Sequence, residues 1–308
     1  MTGILAWFLS LVLFPPEERE MTERFAPPGF VGHYWGPEAT EAREEGKLPP
    51  VFLTPEMVRW DQWGRQYLRD GDIVFRMGDA RLLHGYFPMS RFLANCSNSP
   101  FSHTGIVSIE KGQTVVYDVT RPAVARQPFC VWMQDCVGNF GVKRLKPSYR
   151  GAIPQVVAYC QRVFQEKVPF DYELGLDDSH LYCIELTLKA YRSAGIVLCK
   201  PIALGDMERA PEYPLCMYGL RFAAKLNQEH PIDFDSLVYF PGNERHGIWS
   251  APQLMTVVPP TYCPGYPGLS TGLLPVPLAL DDENKPQTRK VSNHLPGVRP
   301  SETRRPGA

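Results

Sequence analysis

The chain has 308 residues, 44% of them hydrophobic and 21% charged, with 32 Lys and Arg against 33 Asp and Glu. That apolar share excludes a chain disordered throughout, and the near-zero balance leaves no broad basic field for nucleic acid. The 31 prolines are about twice the ordinary usage, so part of the chain is expected to lie outside a packed domain.

In chain order, Ile4 to Phe14 (ILAWFLSLVLF) form an eleven-residue apolar run. It is too short to span a bilayer, which takes about 20 residues. No Lys or Arg precedes it and no Ala-x-Ala-like site follows, so two marks of an export signal are missing. An atypical signal, a short interfacial anchor or a packed helix remain open, and membrane association or export is favoured over a cytoplasmic home. Residues 15–50, with Pro27-Pro28, Pro37 and Pro49-Pro50 around an acidic run, read as a solvated linker. The foldable domain is expected over residues 60–255, near the usual size for one core. Beyond it, residues 256–308 carry too many prolines for helix or central strand, and from Asp281 on they read as a disordered tail.

Within that domain, Gly71-Asp72-Ile73-Val74-Phe75 is a turn feeding a short strand. Two strand-like runs, HTGIVSI from His103 and TVVYDV from Thr114, flank Glu110-Lys111-Gly112-Gln113, a hairpin signal. A two-residue turn at Lys111-Gly112 pairs Val107 with Val116 and Gly105 with Asp118. His103 and Asp118 then share a face as diagonal neighbours, whereas a three-residue loop would separate them. A helix is predicted from Cys183, with Ile184, Leu188 and Tyr191 on one stripe and Gly195 as its stop. A thiol in the first turn of a helix is drawn towards thiolate by the unpaired N–H groups and the dipole. A thiolate beside an imidazole, with a carboxylate holding the ring, is the arrangement for acyl transfer. Spacing alone does not establish such a site, because a lone Cys entering a helix is ordinarily an inert buried residue.

The eight cysteines are scattered without a C-x-x-C pair, which argues against ribbon-type zinc spacing and the thioredoxin motif. Nor is there a Gly-rich phosphate loop, an H-E-x-x-H or a G-x-S-x-G. No metal or organic cofactor is expected.

Three stretches carry a resemblance. They are LRDGDIVF from Leu68, SPFSHTGIV from Ser99 and LYCIEL from Leu181, followed by IWSAPQL from Ile248. Together, and in this order, they resemble the circularly permuted NlpC-type papain-like cysteine hydrolases of the YiiX-like branch, in which the His strand precedes the Cys helix. The resemblance covers residues 65–255. It implies an α+β fold, with helices packed on an antiparallel sheet or small barrel. It also implies Cys183 as nucleophile, His103 as general base and acid, and Asp118 where the family commonly has a Glu. The family's Tyr-Asp before the Cys is here Phe170-Asp171, which leaves the oxyanion hole open to three readings: Tyr172 substitutes, the Cys183 N–H acts alone, or the hole is less efficient. Glu185 matches the family's acidic residue after the Cys, in a supporting or a structural role. The implied activity is a thiol-dependent amidase or peptidase working through an acyl-enzyme. Implied substrates are cell-wall peptides, N-acyl amides or lipid-like acyl compounds. Two rivals are a lipid acyltransferase related to the lecithin-retinol acyltransferase group and a non-catalytic papain-like binding module. Trp35, His84 and the Pro/Gly stretch 262–267 have no role at this level.

Overall fold

A computed structural model describes residues 25–81, 88–171, 175–214, 218 and 235–278. The apolar run from Ile4 to Phe14, His84, Tyr172 and the tail from Asp281 lie outside the described residues.

Six antiparallel strands form the central sheet: β1 (Ile73–Arg76), β2 (His103–Glu110), β3 (Gln113–Thr120), β4 (Ala123–Pro128), β5 (Asn139–Leu145) and β8 (Leu254–Tyr262). Their order across the sheet is β4-β3-β2-β1-β5-β8. A two-stranded sheet, β6 (Ile202–Ala203) with β7 (Leu237–Val238), stands apart. The helices are α1 (Pro37–Glu44), α2 (Pro55–Tyr67), α3 (Met89–Cys96), the short α4 (Phe129–Trp132), α5 (Ile153–Gln165) and α6 (Cys183–Ser193). The α+β expectation holds, with an open antiparallel sheet.

Alternation along the strands splits the core between the two faces of the sheet. Ile73, Phe75, Ile106 and Tyr117 pack with Val156, Phe164, Ile184 and Tyr191 of α5 and α6. Val74, Val107, Val116 and Ala125 pack on the other face with Trp60 and Trp63 of α2 and Phe129 and Trp132 of α4. A third, smaller cluster joins Met89, Phe92 and Cys96 of α3 to Leu204, Met207, Val238 and Phe240.

The hairpin register is the one a two-residue turn dictates. Glu110 pairs with Gln113 and Val107 with Val116. Lys111 and Gly112 both take positive φ, 48° and 80°, as a turn twisted to match its strands requires. Helix α6 also ends where expected. Gly195 has φ 78°, its N–H reaches the Arg192 carbonyl at 2.9 Å, and the Ile196 N–H reaches that of Tyr191 at 3.0 Å. Those two bonds are the Schellman pattern.

Two stretches differ from the linker and tail expectation. Tyr34, Trp35, Val51 and Leu53 are buried in the α2-side core. Proline was compatible with order there because Pro37 sits in the first turn of α1, where its missing N–H costs nothing. The Trp35 carbonyl accepts the Arg126 N–H at 3.0 Å, so this arm covers the open edge of β4. At the other edge, β8 carries Pro259 and Pro260 on an outer strand, the position in a sheet that tolerates proline. The stretch after it is packed as well, with Cys263 buried and the Tyr266 N–H on the Cys136 carbonyl at 3.0 Å. Further on, the Trp63 indole donates to the Pro275 carbonyl at 2.9 Å.

Candidate active site

Cys183 is the first residue of α6. Tyr182 precedes it in extended conformation (φ −112°, ψ 168°), and no side chain caps the turn. That leaves the first-turn N–H groups as donors on the side where Cys183 stands. The helix is fastened to β2 beside it. The Thr104 hydroxyl lies 3.0 Å from that of Thr187 and donates to the Cys183 carbonyl at 3.3 Å. Thr104 is next in chain to His103, so one strand residue holds the helix while its neighbour presents the imidazole.

His103, half-buried at the start of β2, donates from Nε2 to Asp118 Oδ2 at 2.9 Å. Cys183 is close enough to the same ring for its charge to act on it. With Nε2 committed to Asp118, Nδ1 is the nitrogen left for the thiol. Burial works against the imidazolium, but the Cys183 charge and the hydrogen bonds to Asp118 and Cys183 outweigh it. The result is a His103 pKa raised to about 9, with Arg76 pulling the other way.

Asp118 is fully buried and held from three sides. The Trp132 indole donates to Oδ2 at 2.9 Å, the Gln127 amide to Oδ1 at 3.3 Å, and an Arg76 nitrogen stands 4.0 Å from Oδ2. The hairpin can bring Asp118 this close because residue 105 is glycine. A Cβ there would fall 2.4 Å from a Val116 methyl and 3.2 Å from the Tyr117 carbonyl.

Glu185 does not reach the thiol–imidazole pair by any bond on this scale; it is a buried anchor. Its carboxylate meets Lys189 at 2.9 Å, and Lys189 in turn meets Asp178 at 2.7 Å. Burial, reinforced by nearby Asp171, raises the Glu185 pKa to about 7 against the opposing pull of Lys189. Through Asp178, Lys189 ties α6 to the loop that leads into Cys183. The structure thus brings Cys183, His103 and Asp118 together and sets Glu185 behind them. Arg76, Trp132, Gln127 and Thr104 escaped the sequence reading. Only Arg76 left a trace there, as a charge closing the apolar strand IVFR. Among the described residues, no group of three His, Cys, Asp or Glu could hold a metal ion.

Asp72, from the GDI stretch, lies away from this chemistry. It is buried in a two-pronged pair with Arg144, both N···O distances 2.7 Å. The motif is structural here.

Comparison with known proteins bears on the whole arrangement. No curated protein matches the chain. A solved structure from Escherichia coli O157:H7, described as metalloprotein yiiX, is similar with a TM-score of 0.51 and 22% identity. That match covers 61% of this chain and 96% of the other, and at such identity it speaks for the fold alone. A family model described as permuted papain-like amidase enzyme, YaeF/YiiX, C92 family, matches residues 67–254. With the His strand ahead of the Cys helix and a matching sheet around them, the chain belongs to the permuted papain-like amidases of the YaeF/YiiX type.

Proposed function

We propose that the protein is a thiol amidase in which Cys183, His103 and Asp118 act together. The observation that carries this reading is the hydrogen bond from His103 Nε2 to the buried Asp118 carboxylate, beside a thiol in the first turn of α6. Cys183 Sγ attacks the amide carbonyl carbon, forming a C–S bond while the carbonyl electron pair moves to oxygen. The Cys183 N–H, in the uncapped first turn of α6, is one candidate donor for that oxyanion, and Tyr172 is another. His103 passes its proton to the departing amine, and the acyl-enzyme remains. Water then attacks with His103 as base, and the carboxylic acid leaves. Asp118 keeps the ring turned so that the nitrogen facing the thiol makes both transfers. Substrates in keeping with this chemistry are cell-wall peptides and N-acyl amides.

The test is an electrophilic acyl probe followed by product analysis. Labelling of wild type but not of Cys183→Ala or His103→Ala is expected, with amine released from a cell-wall peptide or an N-acyl amide. Equal labelling of wild type and His103→Ala would sink the reading. Acyl transfer to an added amine or alcohol in preference to water would replace the amidase with an acyltransferase.

A further inference from the structure

Arg76 closes β1 directly opposite His103 in the register between β1 and β2. It is almost wholly buried, and its guanidinium lies over the Trp132 ring, 4.1 Å from the centroid. One nitrogen donates to the Trp132 carbonyl; another faces Asp135 at 3.4 Å and Asp118 at 4.0 Å. Trp132 is the residue whose indole N–H donates to the Asp118 oxygen that also receives His103. One guanidinium therefore grips Trp132 by its ring face and its main-chain carbonyl, and also stands beside the carboxylate that the indole serves. A buried carboxylate with no cation near it is costly, so the charge of Arg76 has a second use at this place.

We infer that Arg76 is a positioning residue, which holds Trp132 against Asp118 and balances the Asp118 charge beneath the His103 ring. The inference rests on the active-site reading proposed above. The groups facing His103 are Arg76 from β1, Asp118 from β3 and Cys183 from α6. Asp135 stands behind Arg76. His33 of the N-terminal arm lies in the field of Asp118, and burial depresses its pKa to about 4, so it is uncharged at neutral pH. Arg76 is thus the cation that this group sets beside Asp118. Without it, Asp118 would bind the proton of His103 more tightly, and the ring would be a poorer acid for the leaving amine.

The probe is iodoacetate, followed as the rate of Cys183 alkylation from pH 5 to pH 10. An anionic reagent is drawn in by the imidazolium, so its rate falls as His103 loses its proton. In Arg76→Gln that alkaline limb is expected to move up by about one pH unit. Arg76→Lys keeps the charge and loses the fork, so its limb stays near that of wild type while the rate falls. Asp135→Asn removes a negative charge from the far side and moves the limb down. A role in packing alone would slow Arg76→Gln and Arg76→Lys alike and move neither limb. A limb unmoved in Arg76→Gln overturns the inference. If that variant does not fold, a limb unmoved or raised in Asp135→Asn overturns it. Failure of the active-site reading looks different: wild type and His103→Ala would then share one profile, and both proposals would fall.

Discussion

At the scale of single residues, the Asp118 carboxylate decides the electrostatics of the site. It is one methylene shorter than the glutamate common in the family, so the strand must come closer to His103. Glycine at position 105 grants that approach, and Trp132 and Gln127 fill the remaining acceptor positions. Asp118→Asn keeps the shape and removes the charge. Acylation of Cys183 is expected to slow on the order of 10²–10⁴-fold. The alkaline limb of the iodoacetate profile should also move below its wild-type position near pH 9, because the hydrogen bond that His103 donates to Asp118 raises the His103 pKa. A limb that stays in place, or moves up, would separate Asp118 from the imidazole. The diagonal relation of His103 and Asp118 follows from a two-residue turn at Lys111-Gly112, and the sequence left open whether the turn has two residues or three until the Glu110–Gln113 pairing decided it. Trp132 and Arg76 were not readable, because they come to Asp118 from other elements, the helix α4 and the strand β1.

Among the elements, the junction of β1 with β5 depends on the buried Asp72–Arg144 pair. Arg144 also donates to the Tyr67 carbonyl at 2.8 Å, joining the end of α2 to the same point. Removing one partner leaves an uncompensated charge inside the protein. Arg144→Met is therefore expected to cost about 3–5 kcal/mol of unfolding free energy, whereas Asp72→Leu with Arg144→Met should recover much of it. Urea melts of the single and double variants measure this, and equal losses in both would refute it. The GDI stretch was legible as a turn into a strand, but its Asp found its purpose only when β5 was laid alongside. Helix α6 was the most legible element. A stripe of Ile184, Leu188 and Tyr191 and a stop at Gly195 are local properties, and all three stripe residues are buried.

For the whole molecule, the segments flanking the family match, described here over residues 25–66 and 255–278, complete the α2-side core. His33 belongs to that addition. Its folded pKa of about 4 lies below the ordinary 6.5, chiefly through burial, so the native state binds the proton less readily than the unfolded chain. The associated stability is complete above pH 6.5 and is lost as pH falls towards 4. Wild type should lose more unfolding free energy than His33→Gln between pH 7 and pH 5, up to about 1.4 kcal/mol for each pH unit. Denaturant melts at both values test it, and parallel losses would exclude His33 as the source. Among the described residues no helix is long and apolar enough to cross a membrane.

Proline misdirected the reading of the chain ends for a physical reason. It forbids helix interiors and central strands, yet the first turn of α1 and the edge strand β8 are the places that accept it. Composition registers the count and not the position, so burial of Trp35 on the edge of β4 had to await the fold. What the sequence by itself determined was local: the hairpin signal at Lys111-Gly112, the stripe and stop of α6, and the order of the His strand and the Cys helix. Only the tertiary structure decided what surrounds Asp118, because Arg76 and Gln127 converge on it through pairing across the sheet and Trp132 from the helix α4 packed on that face. Periodicity carries information over a few residues, and the field around a buried carboxylate is assembled from several strands at once.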